Sequence, residues 1–201
     1  MTEPAYAFPW NEDGQDWPQQ GEWTYEDYLR LPDDGQRYEV IRGILYVSPA
    51  PTYKHQFVSG EFSFDLKSFV RENELGLVLS APFDILLPFG IATPVEPDVI
   101  FFRKGNEPQW EDKNFQGVPD LVAEVLSPGT RRRDRKVKLE AYQDAGVPEY
   151  WMLDPDARQV VVHGLRMGRY AVLCEGGRGE EVWSAVLPGF RLKVDSLFPV
   201  A

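Results

Sequence analysis

The apolar positions of this chain group into runs at two spacings, one of strand period and one of helical period. Thr24-Tyr25-Glu26-Asp27 reads as a capping signature that opens a short helix over 24–31, and Pro32 stops it. Asp33-Asp34-Gly35 reads as a turn. Residues 36–47 alternate, with Tyr38 and Val40 before Gly43 and Ile44 and Tyr46 after it, which predicts a strand or hairpin. Over 54–74, Phe57, Val58, Phe62, Leu66, Phe69 and Val70 recur at helical spacing and predict a long amphipathic helix, while Phe64 breaks the period. Strands follow over 77–87, interrupted by Pro82, and over 96–102; a polar loop at 103–117 leads to a strand at 119–126. A helix over 131–145 ends at Gly146. A strand at 149–153 precedes short antiparallel strands at 160–162, 170–173 and 181–186 and a last element at 191–197. The pattern predicts one α/β or α+β domain over 23–201, a mixed sheet flanked by helices with extra C-terminal antiparallel strands. A mobile acidic tail is expected at 1–22.

Two of these strands carry acids where acids are expensive. Pro119-Asp120-Leu121-Val122-Ala123-Glu124-Val125-Leu126 has apolar residues at both parities, so both faces should be buried, and Glu124 must then be paired, hydrogen-bonded or metal-bound. Asp98 opens the apolar strand that begins Val99-Ile100-Phe101. Taken alone, Asp98 also fits a turn after Pro97, and Glu124 also fits an ion pair with a buried arginine. On the following helix, Lys138 falls on the same side as Val137, Ala141, Tyr142 and Ala145, a stripe that should face the sheet. It therefore needs a carboxylate or a phosphate, or must snorkel to the edge. Glu39 points to the face opposite Tyr38 and Val40, as a further site acid or an exposed strand residue. Asp84 is read in the same way. His55, at the start of the long helix, is a candidate phosphate contact or an exposed helix-start residue.

Composition narrows the chemistry. One cysteine and two histidines exclude a disulfide or a thiolate- or histidine-rich metal site, so any metal is held by oxygen, which means Mg²⁺ or Mn²⁺. No apolar run is long enough to cross a membrane and no secretory leader is read, so a cytoplasmic location is expected. The net charge of -11 argues against tight sequence-independent DNA binding. Its distribution is uneven, however: residues 1–36 carry nine acids against Arg30, and the other 165 residues carry only -3. Arg131, Arg132, Arg133, Arg135, Lys136 and Lys138 oppose Asp134 in one helix start. Positive charge is disfavoured there, so the run either contacts an anionic backbone or solvates the first turn.

Several motifs resemble a known family. Tyr38-Glu39-Val40-Ile41-Arg42-Gly43, His55-Gln56, Glu96-Pro97-Asp98-Val99, the run from Val118 to Thr130, Lys138…Tyr142 and Gly146-Val147-Pro148-Glu149-Tyr150-Trp151 are similar to the Uma-type family of putative restriction endonucleases. That family belongs to the PD-(D/E)XK nuclease superfamily, and the resemblance covers roughly Thr24 to Leu197. It implies a restriction-endonuclease-like fold, Asp98 and Glu124 as metal ligands, and Glu39 as an additional early acid. The motif's lysine position is Leu126 here, and the resemblance implies that Lys138 takes its place. The expected function is a Mg²⁺- or Mn²⁺-dependent endonuclease acting on DNA. Two alternatives are a nuclease-fold binding module without catalysis, and an interaction protein that forms a homodimer through aromatic surface and sheet edges.

Overall fold

The computed structural model describes residues 16–109 and 112–198. Its centre is a six-stranded sheet in the order β11-β10-β9-β8-β6-β3. The strands are β3 (Gly76–Ser80), β6 (Val99–Arg103), β8 (Leu121–Val125), β9 (Glu149–Asp154), β10 (Gln159–Arg166) and β11 (Arg169–Gly176). Every residue of β8 and β9 is buried, as continuous apolar strands in the middle of a two-sided sheet must be. These two strands pair parallel and the other pairs of this sheet are antiparallel. A parallel pair needs a long crossover, and the 131–145 helix supplies it.

Strand parity sorts the core into two layers. Phe101, Leu121, Ala123 and Trp151 face α2 (Tyr53–Glu72), meeting Val58, Phe62, Leu66 and Val70. Thr52 caps α2 by accepting a hydrogen bond from the His55 amide. Ile100, Phe102, Val122 and Tyr150 face the other way, towards Ala141 and Tyr142 of α3 (Leu139–Ala145) and towards a second sheet. That sheet runs β2-β1-β5-β4-β7 and comprises β1 (Arg37–Ile41), β2 (Ile44–Ser48), β4 (Asp84–Leu87), β5 (Ala92–Val95) and β7 (Asn114–Gln116). A single mixed sheet was expected, and this second sheet is a departure from it. The reason lies in β5 and β7. Pro94 and irregular pairing with β4 disguise β5, and three-residue β7 sits inside the polar loop.

The remaining elements follow the pattern closely. Thr24 and Asp27 form the capping box of α1 (Tyr25–Tyr28). Gly146 ends α3 in the left-handed region at φ 86°. The expected strand at 181–186 shortens to β12 (Glu181–Trp183), which pairs with β13 (Arg191–Lys193). Of the tail expected at 1–22, residues 1–15 lie outside the described residues. From Trp17 onward the chain lies on the β1–β2 hairpin: Trp17 stacks on Trp23, and the Gln20 side chain pairs with the backbone of Leu45. Among the described residues no helix is long and apolar enough to cross a membrane.

Candidate active site

β6 and β8 pair with Val99 opposite Ala123, and one further step along that register sets Asp98 across from Glu124. Both side chains thus leave the sheet on the face that carries Ile100 and Val122, under the 131–145 helix and β1. β1 alternates: Tyr38 and Val40 pack with Trp23 and Leu45, and Glu39 and Ile41 turn the other way. Glu39 is fully buried, so the exposed reading of this residue is wrong. Its surroundings follow from the closure of the second sheet over the first, which a one-strand pattern does not reveal.

Lys138 bridges the two acids. Its ammonium lies 2.7 Å from Oε1 of Glu124 and 2.8 Å from Oε1 of Glu39, and only 1% of the residue is exposed. The Tyr142 hydroxyl, one helical turn on, donates to the same Glu124 oxygen at 2.6 Å. This delivery depends on a wide turn: Arg133–Lys138 has π geometry before α3 continues. Asp98 is held differently. Arg37 donates to Oδ1 at 3.0 Å, and Oδ2 receives the Val125 amide at 2.8 Å with His55 Nε2 at 3.1 Å.

Charge in this buried volume is unbalanced. Among the described residues Glu39, Glu96, Asp98, Glu124 and Asp134 are buried here, against the inward cations Arg37, Arg133 and Lys138. Burial raises Glu39, but Lys138, Arg133 and Arg37 together bring it down to about 2. Burial likewise works against ionised Asp98, and the His55 hydrogen bond and the Arg37 charge outweigh it, holding the carboxyl well below the usual range. The surplus shows at two groups. Burial, with Asp98, Asp134 and Glu39 nearby, pushes Glu124 up to about 8 despite Lys138. Burial and the neighbouring acids Asp84 and Glu39 push Glu96 up to about 7 against Arg37. Burial alone would lower Lys138, but Glu124, Glu39 and Asp134 keep it above its ordinary value, so the amine stays charged.

A cavity of about 380 Å³ opens on Asp98, Glu124 and Lys138, with Arg37, His55 and Arg133 on its wall. A divalent cation fits this chemistry. Two carboxylates face the cavity, one of them short of positive charge, and both hydrogen bonds to Glu124 fall on Oε1. Among the described residues no three such side chains converge to hold an ion by themselves. Mg²⁺ does not require that, since it is bound through one or two carboxylates with water and phosphate completing its shell.

The other sequence candidates pair largely within the chain. Arg131 pairs with Asp154 at 2.9 Å and Asp156 at 3.2 Å, and Arg135 pairs with Asp154 at 3.0 Å. Arg133 turns inward to Ser48 and Glu39, over the Tyr46 ring. The anionic partner of this basic run is therefore largely the chain itself, and Arg132 stays exposed. His55 is half-buried at the helix start, not exposed, and its Nε2 lies 3.1 Å from Oδ2 of Asp98. Asp84 sits beneath the Tyr28 hydroxyl, beside Glu96. Sequence reasoning missed Arg37, which reaches Glu39, Glu96 and Asp98 at once. The period of two that turned Glu39 inward places Arg37 on the same face.

A mixed sheet crossed by a helix, with opposed carboxylates and a buried lysine at one mouth, defines a nuclease-like α+β scaffold. Residues 25–195 match the family described as "Putative restriction endonuclease" (Uma2), and the chain belongs to that family. Its fold is similar to the crystal structure of a putative nuclease belonging to DUF820 from Anabaena variabilis ATCC 29413, with a TM-score of 0.74 at 22% identity. The match spans 87% of this chain and 97% of that one. Comparison with curated proteins returns no match.

Proposed function

We propose that the protein is a Mg²⁺-dependent endonuclease, with Mn²⁺ as a substitute, that hydrolyses phosphodiester bonds of DNA in this cavity. The observation that carries the reading is the register that sets Asp98 across from Glu124, with the Lys138 ammonium at 2.7 Å from the latter. Asp98 and Glu124 would hold the ion, which when bound supplies charge neutralisation at the phosphate and a water made nucleophilic near neutral pH. Lys138, held between Glu39 and Glu124 with its amine raised above its ordinary value, stabilises developing negative charge or orients the water and does not serve as general base. Glu39 is a positioning residue in this scheme, because its Oε1 holds the Lys138 amine and the Glu96 amide. Arg37 and His55 orient Asp98.

One observation favours a second reading. Arg37 and His55 occupy both oxygens of Asp98, which suits a binding module whose site is closed by its own ion pairs. Calorimetry with Mn²⁺ at a pH above 8, together with nicking of supercoiled plasmid, separates the two. The nuclease reading expects binding and Mg²⁺-dependent nicking, with Asp98→Asn and Glu124→Gln losing both while still unfolding cooperatively. Lys138→Ala should slow turnover more than it weakens Mn²⁺ binding. A wild-type protein that takes up no Mn²⁺ and nicks nothing leaves the binding module.

A further inference from the structure

The cavity at Asp98 runs into a second, larger groove of about 800 Å³, and the two share Gly35, Arg37, Pro51, His55 and Asp98. One wall of this groove is a stripe of α2, in which Gln56, Ser59, Gly60, Ser63, Phe64 and Lys67 follow one another at helical spacing. The stripe begins beside His55, which touches Asp98, and extends away from it for roughly 16 Å at 1.5 Å per residue.

Three features of the stripe bear on what the groove can hold. Phe64 is 67% exposed, although the other face of the helix carries the core contacts. Gly60 lies mid-helix, where glycine is unfavourable, and a Cβ added there meets nothing within 4 Å, so packing does not require it. At the far end the Lys67 ammonium lies 3.3 Å from Ser80 Oγ, which is 2.7 Å from Ser63 Oγ, gathering a cation and two hydroxyls. An aromatic face, a bare stretch of backbone and a cation with hydroxyls are the three things a polynucleotide strand uses.

We propose that this groove binds an unpaired nucleic-acid strand and leads it to the Asp98 cavity. A base stacks on Phe64, a phosphate sits at Lys67, Ser63 and Ser80, and Gly60 lets the sugar-phosphate backbone lie close to the helix. The strand's destination rests on the nuclease reading above; its binding does not. An unpaired strand fits better than a duplex for two reasons. Arg37 and Lys67 are the arginine and lysine of the groove lining, against Asp33, Glu96 and Asp98, which is too few for the array of phosphates that duplex binding neutralises. Stacking on a side chain also needs a base face free of its neighbours, which single strands offer.

The test is fluorescence anisotropy with a short labelled single strand and the duplex of the same sequence, in EDTA so that nothing is cleaved. The wild type should prefer the single strand. Phe64→Ala should weaken its binding roughly tenfold, a typical loss for one stacked base. Lys67→Gln should weaken it and lower the salt slope by about one phosphate. Gly60→Leu fills the groove, and should raise the unfolding temperature while weakening binding, a combination that a purely structural role does not produce. Duplex preference, absent strand binding, or variants that all bind like wild type would overturn the proposal. So would a dimer that Phe64→Ala dissociates with strand binding unchanged, which would make the aromatic a self-association contact. Plasmid nicking judges the nuclease reading separately. Nicking that is untouched by the groove variants keeps the nuclease and loses the groove; variant-sensitive strand binding in a protein that cuts nothing does the reverse.

Discussion

Lys138 and Glu124 show how one buried cation divides its influence between two acids. Glu39 has Arg133 and Arg37 beside Lys138 to help it ionise, whereas for Glu124 the pull of Lys138 is opposed by burial and by Asp98, Asp134 and Glu39. The consequence for stability has a definite sign. Glu124 titrates at about 8 in the fold against an ordinary 4.5, so the folded state binds that proton more tightly than the unfolded state does. Its contribution is complete below the ordinary value and is lost as pH rises through about 8. Glu124→Gln needs no proton, so urea unfolding at pH 5 and pH 9 should show a smaller loss for the variant than for wild type. A tenfold gain in proton affinity on folding is worth about 1.4 kcal/mol, so the difference should reach a few kcal/mol. Equal losses in the two proteins would mean that another group carries the titration. Lys138 could be found from sequence because a lysine on an apolar stripe is a local anomaly. Arg37 escaped notice because its partners Glu96 and Asp98 lie some sixty residues away along the chain.

The π segment Arg133–Lys138 positions several of these groups together. It fits one more residue into the turn than an α-helix would, so the side chains before it and after it face different neighbours. Before it Arg131 meets Asp154, within it Arg133 reaches Glu39 and Ser48, and after it Tyr142 reaches Glu124. Deleting exposed Lys136 should restore α geometry and swing Arg131 and Arg133 by about 100° relative to α3. Each lost hydrogen bond to a charged group costs about 1.5–3 kcal/mol, so the unfolding temperature should fall by several degrees. A deletion variant as stable as wild type would show that the wide turn is not what places these groups. Helical periodicity located this helix but not its π turn, because apolar spacing over two turns tolerates one extra residue.

The C-terminal hairpin is tied to the six-stranded sheet through one carboxylate. Glu149 is fully buried on β9, beside Leu121 of β8. It accepts hydrogen bonds from Trp151 Nε1 at 2.7 Å, Ser184 Oγ at 2.6 Å and the amides of Ala185 at 2.7 Å and Val186 at 3.2 Å. Glu149→Ala strands these donors, each unmade bond costing about 1–3 kcal/mol of a total stability of about 5–15 kcal/mol. The urea midpoint should drop sharply for Glu149→Ala and less for Glu149→Gln, whose amide oxygen still accepts. Equal drops would show that packing, not this clamp, joins the hairpin to the sheet. These contacts also end β12 at Trp183, because Ser184, Ala185 and Val186 are drawn to Glu149 instead of continuing the ladder.

Local pattern was enough to mark the strands β6, β8 and β9, the helices on either side of them and three of the charged residues in the cavity. Burial period and the expense of isolated buried charge act within a few residues, and that is the range a pattern can express. The second sheet, the inward turn of Glu39 and Arg37 and the intramolecular capture of Arg131 and Arg135 came only with the fold. Each depends on which distant strand closes over which face, and the free energy of that choice belongs to contacts between segments. The same distinction separates Asp98 from Glu124. Both were legible as acids in apolar surroundings, but only the assembled site decides that His55 and Arg37 hold one ionised while burial beside other acids pushes the other up to about 8.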